Sequence, residues 1–334
     1  MNVKKLFLFC LVLSVAVSFL ALPVFAQKAP KKPGEKLIIY AQMGGTSGDP
    51  STLPRENGAK LAAEFWGCKV NYQYSAWQPD VMIAQFKEAM AANPDGICIM
   101  GHPGVEAFKP FVDEAVKKGI IVTSGNTPLT ELEAAYKAKG FGYVGMDLFE
   151  SGYLLGKSLA EYAKLKAGDK AFLYGLMAQP ERGKMERGAK QAWEDLGLDV
   201  DYIEITAEVD GDATMAIPVI TGYLASNPDC KAIIASHGNI TSVMEEALKA
   251  AGKGPNEVAV GGYDLSAKTV KSLQNKYLDV VMDQQLYLQG FVPIEQICIT
   301  KLYGFAGLHM NTGAGVVTPE TINKLIPLIQ KGIR

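Results

Sequence analysis

Apolar and polar residues along this chain fall into two alternating rhythms. Short, largely apolar runs occur at 36–41, 96–100, 119–124, 141–145, 171–174, 232–236 and 258–262, each of strand length. Between them lie stretches with apolar residues three and four apart. In 105–118, for example, Val105, Phe108, Val112, Ala115 and Val116 share one helical face. The same rhythm predicts helices over 55–66, 79–92, 148–165, 186–196, 213–225 and 242–251, with two further strands at 69–74 and 200–205. A strand apolar throughout and joined to the next by a crossover helix is covered on both faces, so the order implies parallel α/β sheets. It runs once to about residue 165 and starts again at 168 with no long linker. Two successive doubly wound halves are expected rather than one large sheet.

The punctuation between rhythms is where chemistry is expected. The strand at 96–100 empties into Gly101-His102-Pro103-Gly104, the strand at 119–124 into Ser124-Gly125-Asn126-Thr127, and the first strand into a long glycine-rich segment, 42–54. Ligands of open α/β sheets bind outside the carboxyl ends of the strands, so these segments read as binding loops.

Composition narrows the class. The chain has 334 residues, 48% hydrophobic, enough for two α/β lobes with full cores. Lys4 and Lys5 precede an apolar run, 6–22, and Val24-Phe25-Ala26 offers small residues where a signal peptidase reads. Residues 1–26 are therefore expected to be a cleaved secretory signal, with 27–35 a Pro/Lys tether. Bulky Phe9 before Cys10 does not suit a lipidation motif. Without Lys4 and Lys5 the chain has 31 basic residues against 35 acidic, a net −4 that gives nucleic acid no favourable field. Cys68, Cys98, Cys230 and Cys298 are scattered, with no CxxC pair, and read as buried free thiols. Asp210-Gly211-Asp212 resembles the start of a calcium loop, but Thr221 stands where such a loop needs its last carboxylate, so a loop near a cleft mouth is expected. Gly156-Lys157-Ser158 lacks the earlier glycine of a phosphate loop, and no GxSxG or HExxH occurs.

Several motifs in one order then carry a resemblance. They are Asn93-Pro94-Asp95-Gly96-Ile97; Gly119-Ile120-Ile121-Val122 ending at Asn126; and Tyr143-Val144-Gly145-Met146-Asp147, followed by Gly152 and Gly156. Further on come Asn227-Pro228-Asp229, Gly261-Gly262-Tyr263-Asp264, and Met282-Asp283-Gln284-Gln285 with Tyr287 and Gly290. Over nearly all the chain after residue 26 this resembles the periplasmic sugar-binding proteins of ribose-binding type, the solute receptors of ABC importers. The resemblance implies two doubly wound parallel-sheet lobes, the type I periplasmic binding protein fold, joined by a three-crossing hinge. By the motifs, the lobes are 36–146 plus 284–311 and 147–283 plus 312–334, with crossings near 146–147, 283–284 and 311–313.

The resemblance also assigns a ligand site position by position. Asp264 falls where the family has an Asp receiving sugar hydroxyls, Asn126 at the end of the fourth strand, and Gln284 at a hinge Gln. Asp49 and His237 stand where the family often has Asn. Two departures matter: Ser51 replaces part of an aromatic pair, and Met185 stands for a common Arg. Arg182, Lys184 or Arg187 is a candidate substitute, and Trp77 a candidate aromatic plane. This inventory suits a polyhydroxylated guest, which needs carboxylate acceptors, amides that both donate and accept, and a flat apolar face. The implied function is capture of a monosaccharide or sugar alcohol for an ABC permease by an extracytoplasmic monomer that is not an enzyme and has no cofactor or metal. A sensory receptor for a sugar-like signal and an exported sugar-modifying enzyme are the alternatives. A lactose-repressor-type regulator shares the fold but lacks a secretion signal.

Overall fold

The protein is described here by a computed structural model covering residues 31–48 and 51–334, so the expected signal segment and Asp49 lie outside the described residues. Its strands, in chain order, are β1 (Ile38–Gln42), β2 (Lys69–Gln73), β3 (Gly96–Met100), β4 (Ile121–Asn126), β5 (Gly142–Gly145), β6 (Lys170–Gly175), β7 (Asp199–Glu204), β8 (Ala232–Ala235), β9 (Ala259–Tyr263), β10 (Val280–Asp283), β11 (His309–Asn311) and β12 (Gly315–Val317). The α-helices are α1 (Leu53–Trp66), α2 (Pro79–Ala91), α3 (Val105–Lys117), α4 (Thr130–Tyr136), α5 (Leu148–Ala163), α6 (Lys184–Asp195), α7 (Ala207–Gly211), α8 (Ala216–Ser226), α9 (Gly238–Thr241), α10 (Met244–Ala250), α11 (Ala267–Gln274), α12 (Leu286–Tyr303) and α13 (Ile322–Ile329).

Two six-stranded sheets result, ordered β11-β5-β4-β3-β1-β2 and β12-β10-β9-β8-β6-β7. All pairings are parallel except β10 with β12. Because the crossovers put helices on both faces, each sheet carries two cores. In the first lobe Phe86, Phe108 and Val112 pack one face under α2 and α3, and Ala59, Ala62, Ile294 and Ile297 pack the other under α1 and α12. In the second lobe α5 and α6 bring Leu155, Leu159 and Trp193 to one face, while Ile220, Met244 and Leu273 cover the other. Strand order reverses at β1/β3 and again at β6/β8, and at such switch points the connecting loops diverge and open a crevice.

The chain passes from the first sheet to the second after β5, returns after β10 to run α12 along the first sheet, and passes over again between β11 and β12. The three passages are bonded to one another. Asn311 Oδ1 accepts from Asp147 N–H at 3.0 Å, Thr312 N–H donates to Gly145 O at 2.8 Å, and Gln285 Nε2 donates to Thr312 O at 2.9 Å.

Several elements differ from the sequence-based expectation. The helix expected at 242–251 is found as α10, Met244–Ala250, but a separate short helix, α9, precedes it at Gly238–Thr241, with a break at Ser242–Val243. The Asp210-Gly211-Asp212 loop is instead the end of α7, which Thr206 caps by accepting from Val209 N–H. The tether is not wholly free either: residues 33–36 form a turn in which Gly34 N–H donates to Trp66 O at 2.9 Å. All four described cysteines are buried and free. Among the described residues no helix is long and apolar enough to cross a membrane.

Candidate functional site

Loops at the carboxyl ends of both sheets enclose a cavity of about 290 Å³. Arg55, Trp77, His102 and Asn126 line it from the first lobe, and Arg182, His237 and Asp264 from the second. Gln284, on the passage after β10, stands between them.

Backbone conformation aims these side chains. Trp77, Asn126, His237 and Asp264 all have positive φ, at 60°, 64°, 71° and 67°. Such a conformation costs an L-residue free energy and persists only where the surroundings impose it; it also occurs away from the cavity, at Asn93, Lys164, Asn256 and Lys276. Room for Trp77 comes from Gly44, where a Cβ would lie 2.3 Å from the indole ring. Asn126 is fixed by Tyr143, whose Oη lies 2.9 Å from Asn126 O and 2.7 Å from Met146 O.

A chain of amides joins the lobes through the cavity wall. Gln284 Nε2 donates to Asp264 Oδ1 at 2.7 Å, and Asn126 Nδ2 reaches Gln284 Oε1 at 3.3 Å and Gln289 Oε1 at 3.2 Å. Gln289 Oε1 also accepts from Arg55 Nη2 at 3.2 Å, while Gln289 Nε2 donates to Thr312 Oγ1. Arg55 is fully buried on the inner face of α1, with Nη1 on Met43 O at 2.8 Å and its guanidinium 5.6 Å from the Trp77 ring centre. Asp264 touches the cavity yet is walled in by protein. Burial pushes its carboxyl up to about 6; Asp283 adds to the shift, while Gln284, Arg55 and His237 oppose it.

Facing this chain is a second one of charged groups. Arg182 donates from Nη1 to Asp210 Oδ2 at 3.2 Å and from Nη2 to His237 Nδ1 at 3.3 Å. Since a guanidinium only donates, His237 Nδ1 must accept, which puts the ring proton on Nε2. Nε2 lies 3.2 Å from Glu186 Oε1, but the N–H is not aligned for a hydrogen bond, so the contact is electrostatic. Burial would raise the Glu186 carboxyl, but His237 and the Leu176 N–H more than offset it and hold the group below its usual value. The His102 ring centre lies 5.2 Å from that of Trp77, with the two planes tilted by 47°. Burial chiefly, with Arg182, Arg55 and His237 nearby, depresses it to about 3, so it is a neutral imidazole whose buried Nδ1 has no protein partner.

Asn126, Gln284, Asp264, His237, Trp77, Ser51 and Met185 all line this one cavity. Asp49 lies outside the described residues. Of the three candidate replacements for the arginine that Met185 displaces, Arg182 reaches the cavity. Arg187 is spent on the carbonyls of Met177 and Pro180, and Lys184 on Glu181. Sequence reasoning missed Arg55, Asn239 and Tyr263 as lining residues and Glu186 behind His237. The walls thus present carboxylate acceptors, amide and guanidinium donors, two imidazole rings and one indole face. Among the described residues no group of His, Cys, Asp or Glu is placed to hold a metal ion.

Comparison with known proteins agrees with the two-lobe fold. The model of the periplasmic binding protein domain matches residues 43–298. A xylose/arabinose-binding protein of Sulfolobus acidocaldarius is 25% identical over 315 residues, covering 88% of this chain and 74% of its own length. A D-ribose/D-allose-binding protein of Pseudomonas aeruginosa is 23% identical over 313 residues, covering 92% and 94%. The fold is shared with a solved carbohydrate transporter from Acidothermus cellulolyticus 11B in complex with myo-inositol, at a TM-score of 0.73 and 21% identity, covering 89% of this chain and 99% of the other.

Proposed function

The chain belongs to the periplasmic binding protein family, and from that premise we propose that it is the extracytoplasmic solute receptor of an ABC importer, taking a monosaccharide or sugar alcohol between its two lobes. The observation that carries this reading is a cavity shared by the switch points of both sheets, walled by Asp264, Gln284, Asn126, Arg182 and His237 for hydroxyls and by Trp77 for a C–H face. Hydrogen bonds to charged groups contribute roughly 1.5–3 kcal/mol each, so a few well-placed ones outweigh the cost of drying the cavity.

Closure is the operative step. The passages near 146–147, 283–284 and 311–313 act as the hinge between lobes 36–146 plus 284–311 and 147–283 plus 312–334. A guest touching both walls gains its full set of contacts only when the lobes are shut, so binding shifts the open–closed population. The closed face is what a membrane permease, driven by a cytoplasmic ATPase, recognises. Residues 1–26 direct export and are removed, and the protein acts as a monomer without catalysis.

Thermal unfolding against D-xylose, L-arabinose, D-ribose, D-allose and myo-inositol tests the reading. One of them at about a hundredfold over its dissociation constant should add ~2.7 kcal/mol of stability, a rise of a few degrees in Tm. Flat melting temperatures across a full pentose, hexose and polyol panel would refute the solute class, and chemical conversion of a bound sugar would make the protein an enzyme.

A further inference from the structure

Helix α13 packs on the second lobe through Ile322, Leu325 and Ile329, and the chain beyond it turns back toward the first. Asn57 on α1 donates its Nδ2 to Gly332 O at 3.1 Å. The approach is tight: Gly332 has φ of 63°, and a Cβ there would sit 2.4 Å from that same nitrogen. Two residues later, Arg334 Nε lies 2.9 Å from Asp283 Oδ2, a charge pair whose N–H is not aimed for a full hydrogen bond. Its Nη1 reaches Gln285 Oε1 at 3.5 Å. Asp283 Oδ1 also accepts from Gln285 N–H at 2.8 Å, and Gln285 is held at φ of 54°. Gln284 is therefore flanked on both sides by residues in the grip of one guanidinium.

We propose that Arg334 is a positioning residue for solute binding: it clasps Asp283 and Gln285 so that Gln284 faces Asp264 and Asn126 together, and the bond of nearby Gly332 to Asn57 makes this segment a fourth link between the lobes. The proposal rests on the reading that Gln284 meets the solute. Asp283 is 3% exposed, and a carboxylate so buried needs a counter-charge to stay ionised. The groups facing it are Arg334 and, across the cavity wall, Asp264. Without Arg334 the two carboxylates would repel, and the turn holding Gln284 would lose its anchor.

The test uses the full chain with Arg334→Gln, Asp283→Asn and the double variant. Amide hydrogen exchange of the 280–290 segment is followed without ligand, and calorimetric titrations use D-xylose, D-ribose and myo-inositol. Arg334→Gln should speed exchange of the Gln285 amide about tenfold and weaken the bound sugar by a similar factor, while the double variant, with the charge to be balanced also gone, recovers most of both. Arg334→Lys, which keeps the charge, should fall between. Wild-type exchange in Arg334→Gln, or a double variant impaired by the sum of the single effects, overturns the proposal. Should Arg334→Gln not fold, the double variant decides alone: it must fold and protect Gln285. If the wild type binds none of the three sugars, the exchange arm still judges Arg334, and the failure falls on the solute reading.

Discussion

Asp264 is held in a compromise. A sugar hydroxyl donates best to its ionised form, yet burial pushes the carboxyl up to about 6. Binding should therefore expel a proton in mildly acid solution. The affinity of the wild type is expected to fall as pH drops through about 6, by up to tenfold per unit, while Asp264→Asn binds weakly with no such slope. Stability without ligand runs the other way. A carboxyl whose folded value is raised stabilises the fold while protonated, and that contribution is lost as pH rises from about 4 through about 6. Melting curves of the wild type measured against Asp264→Asn at each pH isolate this difference, because the depressed His102 works in the opposite sense and is common to both.

Strain and close packing decide matters at the level of elements. His237, with φ of 71° and ψ of 139°, occupies a region that essentially only glycine tolerates, at a cost of order 1–3 kcal/mol. His237→Gly should leave the melting temperature unchanged or higher while weakening sugar binding about tenfold or more, because the cost removed was serving the site. Titration alongside unfolding checks both halves. Helix pairs show the same economy twice. In the first lobe a Cβ on Gly58 would lie 2.0 Å from Tyr287 O, and one on Gly290 would lie 1.8 Å from Arg55 O. In the second, Gly152 meets Met185 O at 1.9 Å and Gly188 meets Phe149 O at 2.1 Å. These glycines let α1 cross α12, and α5 cross α6, at backbone contact.

The strands up to β9 and most helices between them were legible in the sequence because their apolar spacing is strong. α4, α7, α9 and every element after β9 were not: most are too short to set up a period, and the long α12 is buried on several sides, so no single apolar face marks it. Arg55 and Glu186 were missed for another reason. Each charge sits on a helical face otherwise made of Ala59, Ala62 and Trp66, or of Ala189 and Trp193. That position, a charge where the rhythm asks for an apolar residue, was the available signal. The loop residues Asn126, His237 and Asp264 could be named from motif order, but their shared left-handed backbone could not.

For the whole molecule, two lobes of matching strand order meet at a cavity that neither could form alone. Both walls carry polar groups, so a guest bridging them draws the lobes together. Solution X-ray scattering is expected to show a smaller radius of gyration once the sugar found by thermal shift is added. An unchanged profile under saturating sugar would mean that the hinge does not close.

Of the three tryptophans, Trp66 and Trp193 are buried in the lobe cores and Trp77 alone stands at the cavity, beside the His102 ring. An imidazole next to an indole affects how long its excited state survives, and a guest sliding across the indole face would alter that pairing. The chain therefore carries its own optical gauge: ultraviolet emission from one side chain, with no dye attached, should report how full the cavity is.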